Sequence, residues 1–406
     1  MFYAYFMSLK LLISKSQALK DKKKILIIYE FFFPAYKAGG IIQSLKNLIY
    51  LMHPYFDFYI ITGSKDLNES INLAGIPINS WNKVNISNDA IVNVWYDDKK
   101  NLNYFKLNTL FKQVSPDIFY INGFMSVPFL LLPLIAIKTT SFKYKKIIVA
   151  PRGMLQQGAV SVNYLKKKLF LLIIQVLGLT KNIQWHITAD VELLGIQKYF
   201  KFNRSHVNCI SNIPVSPVKI IQPIAKQSGI LNLVYASIIT EKKNLRYLLE
   251  TLQHCKSTIQ LNIYGVIKEQ SYWSICQNMI SKLPKNIYVH YAGEYKPEQM
   301  QHIVSQSDAM VLLSKGENFS HAIYESLSAG RPVISSHYTS WNNLTSKYAG
   351  WNFAINEPKL LAMELDDLAS YAENEWNKFA KGAYQLSNDY ISNQTFVDDY
   401  LNLFYT

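Results

Sequence analysis

The stretch that most constrains this chain is an apolar run followed by a polar turn, an amphipathic segment and a second apolar run. AMVLLS at 309–314 has the length and residue types of a parallel strand buried on both faces. GENFSHAIYESLSAGRPVISS follows at 316–336. Its Ala322, Ile323, Leu327 and Ala329 recur at helical spacing, Gly330 suits the end of that helix, and Val333 and Ile334 open the next buried strand. Strand, loop, helix and strand in that order are a unit of an open α/β sheet, and such sheets take ligands at the carboxyl ends of their strands.

Two carboxylates fall at that end. Glu317 lies in the turn and Glu325 on the helix, eight residues later. With a helix start near Asn318, roughly two turns separate them and both can face one crevice. A carboxylate on an inward helix face needs donors, and sugar or ribose hydroxyls are donors of that kind. The N–H groups of Asn318, Phe319 and Ser320 would project from the same helix start toward a phosphate or a polar sugar edge. The plainer alternative is two solvated carboxylates, with Glu317 favouring the positive end of a helix.

A chain of 406 residues suits two domains of about 200 each. With 49% apolar, 14% aromatic and 17% charged residues, the composition is that of a folded protein. Cys209, Cys255 and Cys276 are odd in number and widely spaced, which argues against a disulfide framework or a zinc site and suits a reducing cytosol. The opening MFYAYFMSLKLLI does not read as a signal peptide. Apolar runs at 128–137 and 169–177 are too short to span a bilayer; they are expected as buried helices, the alternative being apolar wedges against a membrane. The net charge of +14 is uneven: residues 1–212 hold 26 Lys and Arg against 11 Asp and Glu, and the remainder 16 against 17. No nucleic-acid module accompanies the excess. Lys143, Lys145 and Lys146, and Lys166 to Lys168, stand beside apolar-aromatic segments, which favours peripheral contact with an anionic membrane over nucleic acid. A solvated basic surface is the alternative.

In chain order, ILIIY at 25–29 reads as a first strand, EFFFPAYKAGG at 30–40 as a loop, and 41–51 as an amphipathic helix. A glycine-bearing loop between strand and helix is phosphate-binding geometry, and Gly39 and Gly40 are its candidates, although a glycine pair also serves a tight turn. The dinucleotide G-x-G-x-x-G is absent, so no nicotinamide or flavin site is expected. Strands are expected at 56–62 and 90–96, a helix at 104–114, and a strand ending in a polar turn at 115–124 that offers Tyr120 and Asn122. The stretch 147–155 reads as the next strand and its exit turn, where Arg152 beside Gly153 is a phosphate clamp or an ion-pair partner. His186 and Glu192, at a strand-to-helix junction, suit a core histidine and a helix N-terminal carboxylate. The boundary falls within 207–217, giving an N-terminal domain at 1–212, a C-terminal domain at 213–387 and a terminal helix at 388–406. The second domain opens with a strand at 230–239 and a helix at 240–249 capped by Thr240. Strands at 259–265 and 287–293 end in glycine, which leaves crevice room for a nucleotide base. Trp341 is either a stacking wall or ordinary core.

The block at 316–336 resembles the glutamate-x7-glutamate signature of family 4 retaining glycosyltransferases, and GENFSH with SLSAGRPVI is similar to the branch acting in bacterial surface polysaccharide assembly. The resemblance implies the GT-B fold, an α/β architecture of two facing Rossmann-like domains with a deep cleft between them. It further implies a hexosyltransferase-like enzyme moving a sugar from a nucleotide-diphosphate donor to a glycan or lipid-linked acceptor, as in capsule, O-antigen or lipopolysaccharide synthesis. By that resemblance Glu317 touches the donor sugar, Glu325 the ribose, and Asn318, Phe319, Ser320 and His321 line the site. Gly39 and Gly40 approach the diphosphate, and the terminal helix crosses back to the first domain. PRGML around Arg152 and WHITADVE around His186 are similar to further blocks of the family.

One block departs. The family's G-R-x-x-x-x-K, whose Arg and Lys grip the diphosphate, aligns with Ser237, Ile238 and Lys243. An isoleucine cannot offset phosphate charge, so Lys243 and Arg152 are left as the cations. Histidines common at the turn near Asn122 are also missing, so no protein base is assigned, and the resemblance implies retention with the departing phosphate oxygen as base. No Asp-x-Asp and no His/Cys cluster occurs, so no metal is required and no cofactor is expected beyond the donor itself. Two rivals stay open: a nucleotide-sugar epimerase, and a degenerate, non-catalytic partner or scaffold subunit. A cytoplasmic protein, peripheral on the inner face of the membrane, is the expected setting.

Overall fold

The computed structural model describes residues 22–87, 89–140, 143–156, 164–217 and 223–405. Two compact units divide the chain: Met1–Ile213 together with Thr395–Thr406, and Pro214–Gln394.

The first unit is built on eight strands: β1 (Lys23–Ile28), β2 (Phe56–Gly63), β3 (Trp81–Ser87), β4 (Ala90–Asp97), β5 (Ile118–Asn122), β6 (Lys146–Ala150), β7 (Gln184–Ile187) and β8 (Val207–Cys209). They lie in the order β3-β4-β2-β1-β5-β6-β7-β8, and β3 alone is antiparallel to its neighbour. Chain order reverses between β1 and β5, the position where such sheets open a crevice. Ile25 to Ile28 are fully buried because β1 is central and covered on both faces, which is why it reads as an unbroken apolar run. Among the described residues five helices connect the strands: α1 (Gly40–Met52), α2 (Tyr104–Val114), α3 (Leu132–Thr139, preceded by a π-turn at Val127–Leu131), α4 (Tyr164–Val176) and α5 (Val191–Tyr199). The apolar run at 128–137 is largely interior, with Phe129, Leu130, Leu134 and Ile137 in the core. The run at 169–177 is not simply a buried helix. Leu171 and Ile174 enter the core, whereas Leu169 is 59% exposed and Val176 76%.

The second unit carries β9 (Ile230–Ala236), β10 (Thr258–Tyr264), β11 (Ile287–Gly293), β12 (Ala309–Leu312), β13 (Val333–Ser336) and β14 (Gly350–Phe353). The order is β11-β10-β9-β12-β13-β14, every neighbouring pair parallel. This doubly wound sheet has its switch point between β9 and β12. Its helices are α6 (Leu245–Leu252), α7 (Gln270–Ile280), α8 (Met300–Ser305), α9 (His321–Ser328), α10 (Pro358–Ser370) and α11 (Glu373–Ser392). Thr240 does not cap α6: a 3-10 turn at Glu241–Lys243 intervenes, and Asn244, left-handed at φ 59°, occupies the cap position. The last helix, α12 (Phe396–Tyr405), is grouped with the first unit. There the Phe404 ring meets Phe56 at 5.2 Å and Tyr120 at 5.8 Å, Tyr400 stands edge-on to His186, and Lys146 Nζ donates to the Leu403 carbonyl at 3.1 Å.

Candidate active site

In the second unit the chain leaves β9 through Ser237 and Ile238 and leaves β12 through 313–317, so both exits lie at the switch point. Three bonds tie them. Lys315 N–H donates to the Lys242 carbonyl at 2.9 Å, Ser314 Oγ to the same carbonyl at 3.1 Å, and Asn244 Nδ2 to the Leu313 carbonyl at 3.0 Å. That lacing brings together two residues 74 positions apart: Lys243 Nζ stands 2.5 Å from Glu317 Oε1. The carboxylate is largely buried and the ammonium partly so, which leaves the pair in a medium where its charges are weakly screened. The β9 and β10 exits are also joined, Ser237 N–H donating to the Tyr264 carbonyl. Gly265 at φ +147° makes that approach possible, since a Cβ there would stand 1.8 Å from the Ser237 oxygen.

The helix after Glu317 begins later than expected. Ser320 holds φ 61°, ψ 90° and is the cap, accepting from Ile323 N–H at 3.4 Å, so α9 starts at His321. Asn318, Phe319 and Ser320 therefore precede the helix, and their N–H groups are not those of its first turn. Ser340 Oγ donates to the Asn318 carbonyl, and Trp341 Nε1 to the Phe319 carbonyl at 2.5 Å. The Phe319 ring is buried among Tyr324, Trp341 and Tyr390 and beside His321, so Trp341 is core that braces this loop. Only backbone or the polar neighbours can meet a ligand there.

Glu325 is the fifth residue of α9 and 7% exposed. Burial, with Glu298 nearby, pushes its carboxyl up to about 8. Such a group is neutral near pH 7 until donors arrive to stabilise its charge. Sequence reasoning named Glu325 but gave no hint of this shift, which depends on the helix face being sealed by α8 and its neighbours.

In the first unit, Gly39 (φ 85°) caps α1 and Gly40 is its first residue, in a loop held by Tyr36 and Lys37 N–H bonds to Asp66. Arg152, left-handed at φ 55°, sits in the turn after β6. Its Nε donates to Asn122 Oδ1 at 3.0 Å, Nη1 to Asn212 Oδ1 at 2.8 Å and Nη2 to Tyr120 Oη at 2.8 Å. Two of the five guanidinium N–H bonds remain undirected. His186 Nε2 faces the Ile210 carbonyl at 3.0 Å and must carry the proton, so Nδ1 accepts from the Tyr120 hydroxyl at 2.7 Å. Burial, with Arg152 close by, pushes His186 down to about 3, so this chain of bonds holds a neutral imidazole. Glu192 lies in the first turn of α5, as expected, and does more than balance it: its oxygens accept from Gly153 N–H at 2.7 Å and Thr188 N–H at 3.0 Å, fixing both turns. Tyr120 and Asn122 come from β5 and Asn212 from the exit of β8, and no local pattern announces their meeting at Arg152.

Residues 219–386 match the family described as glycosyl transferases group 1. No curated protein matches the chain by sequence. Among solved structures, sucrose-phosphate synthase from Thermosynechococcus elongatus superposes with a TM-score of 0.67 at 13% identity, over 91% of this chain and 94% of that one. The Anabaena protein HepE in complex with UDP-glucose gives 0.65 at 12% identity, over 92% and 98%. The lipopolysaccharide outer core galactosyltransferase WaaB gives 0.55 at 16% identity, over 91% and 100%. At such identities the structural likeness establishes the fold. The chain has the GT-B fold of these structures, and the part that matches the glycosyl transferases group 1 family, residues 219–386, contains Lys243, Glu317 and Glu325.

Proposed function

We propose that the second unit binds a nucleotide-diphosphate sugar and that the enzyme transfers the sugar with retention of anomeric configuration. The observation that carries this reading is the Lys243–Glu317 pair at the switch point, with the buried carboxyl of Glu325 on the following helix. Lys243 offsets charge on the diphosphate, Glu317 orients the sugar hydroxyls and Glu325 accepts from the ribose. Asn318 and Ser320, with the Phe319 backbone and His321, form the loop beside them. In the first unit, Gly39, Gly40 and Arg152 are the proposed phosphate contacts.

The reaction breaks the bond from the anomeric carbon to the phosphate oxygen, whose electrons stay on the diphosphate. The acceptor hydroxyl oxygen bonds to the same carbon on the same face, and its proton passes to the departing oxygen. This route asks for cations and N–H donors and for no metal or further cofactor. The acceptor we propose is a glycan or lipid-linked saccharide of a surface polysaccharide (capsule, O-antigen or lipopolysaccharide). The setting is the cytoplasm, with peripheral contact at the inner face of the membrane. The block at 316–336 and the basic first half support that branch. HepE, solved with UDP-glucose, and WaaB, described as a galactosyltransferase, support the donor class.

Calorimetry with a panel of nucleotide sugars tests the reading. One donor should bind wild type, and Glu325→Ala or Lys243→Ala should each weaken it by about 1.5–3 kcal/mol, the worth of a charged hydrogen bond. No binding across the panel by folded protein would overturn the donor site and leave Ile238 as the mark of a partner subunit.

A further inference from the structure

Helix α4 is apolar on two opposite sides, and one of them is uncovered. Leu171 and Ile174 are 2% and 0% exposed and belong to the core of the first unit. Leu165, Leu169, Leu172, Ile173 and Val176 are 79%, 59%, 52%, 37% and 76% exposed. At 3.6 residues per turn these five fall within about 100° of arc, directly opposite the buried pair. Lys166 borders the stripe on the Ile173 side and Lys168 on the Leu172 side, and both lysines are exposed. An outward stripe of leucine, isoleucine and valine with one lysine on each side fits a surface that is apolar inside and negative at its rim.

We infer that α4 is a membrane-docking helix, lying in the interface of an anionic bilayer with its outer stripe at the acyl boundary and Lys166 and Lys168 among the lipid phosphates. A helix of 13 residues is about 20 Å long and lies in the plane rather than across it. Among the described residues no helix is long and apolar enough to cross a membrane. Charge selects this occupant over a second copy of the chain. Two stripes facing each other would set lysine rims together, whereas anionic headgroups complement them, as they do the positive excess of residues 1–212. Snorkelling lets each lysine stem cover apolar surface while its ammonium reaches the headgroups. This inference rests on the membrane contact proposed above and not on the sugar chemistry.

The test is co-sedimentation of the full chain with vesicles of phosphatidylcholine and phosphatidylglycerol, against phosphatidylcholine alone. Two double variants are compared with wild type, Leu169→Glu with Val176→Glu, and Lys166→Glu with Lys168→Glu. All four positions are exposed, and matched thermal melts establish that the fold is kept. Wild type should bind the anionic vesicles, and each variant should bind at least about tenfold more weakly. Wild-type binding unchanged in both variants would overturn α4 as the surface while leaving the membrane contact intact. No wild-type binding would overturn both, without touching donor binding by calorimetry. A wild-type dimer abolished by Leu169→Glu with Val176→Glu, without vesicle binding, would assign the stripe to a second copy and overturn the inference.

Discussion

Donor affinity should depend on pH through Glu325. Its carboxyl is raised to about 8 by burial, and the ribose hydroxyls proposed as its partners are donors, which stabilise the carboxylate form. At about pH 7 only one molecule in roughly eleven carries the charge, so binding spends about 1.4 kcal/mol on deprotonation. The sign follows directly: the bound state holds fewer protons, so affinity rises with pH until the free carboxyl is ionised. From about pH 6 to about pH 8 the association constant should rise roughly fiftyfold and then level off. Near pH 7 about 0.9 proton should leave per donor bound. Isothermal calorimetry in two buffers of different ionisation enthalpy reads that proton directly. The nucleotide-sugar diphosphate stays ionised throughout, and Glu325→Gln should remove the slope. A wild-type affinity that is flat across this range, with heats independent of buffer, would refute the reasoning, because Glu325 would then meet the donor as a neutral acid.

Three further outcomes are expected. Ile238→Arg should strengthen donor binding about tenfold in calorimetry, since it places a bidentate cation where the G-R-x-x-x-x-K block that this stretch resembles carries its Arg; unchanged affinity would place the second cation elsewhere. Lys243→Met should cost about 1–3 kcal/mol in denaturant unfolding by stranding Glu317, and adding Glu317→Gln should recover most of that stability without recovering donor binding. Gly265→Ala should destabilise by about 3 kcal/mol or more, read as a fall in Tm, because both its φ and the Ser237 oxygen oppose a Cβ; a wild-type Tm would contradict the tie between the β9 and β10 exits.

Much of the sheet architecture was legible because parallel strands buried on both faces leave unbroken apolar runs, as at 25–29 and 309–314. The helix Tyr104–Val114 was legible to the residue, being flanked by the cap Asn103 and the left-handed Ser115. The start of α9 was not, since Ser320 takes a backbone conformation that no residue type announces. Thr240 looked like a cap, yet the left-handed Asn244, just past the turn that follows it, sets where α6 begins. The ion pair of Lys243 and Glu317 joins distant exits of neighbouring strands, and sequence spacing carries no trace of such a meeting. The outward stripe of α4 was hidden for a different reason: leucine and isoleucine on every side of a helix leave periodicity unable to say which side is covered.

The placement of α12 bears on how the chain is made. The first unit is discontinuous: its sheet lies in the first 213 residues, while Tyr400 and Phe404, which cover His186, Tyr120 and Phe56, are translated only after the entire second unit. The intervening unit is contiguous and can reach its native state on the ribosome as soon as it emerges. The first unit is completed only when α12 is made and packs against Tyr120 and His186. Within this sequence, the order of synthesis and the order of completion of the two units are thus inverted.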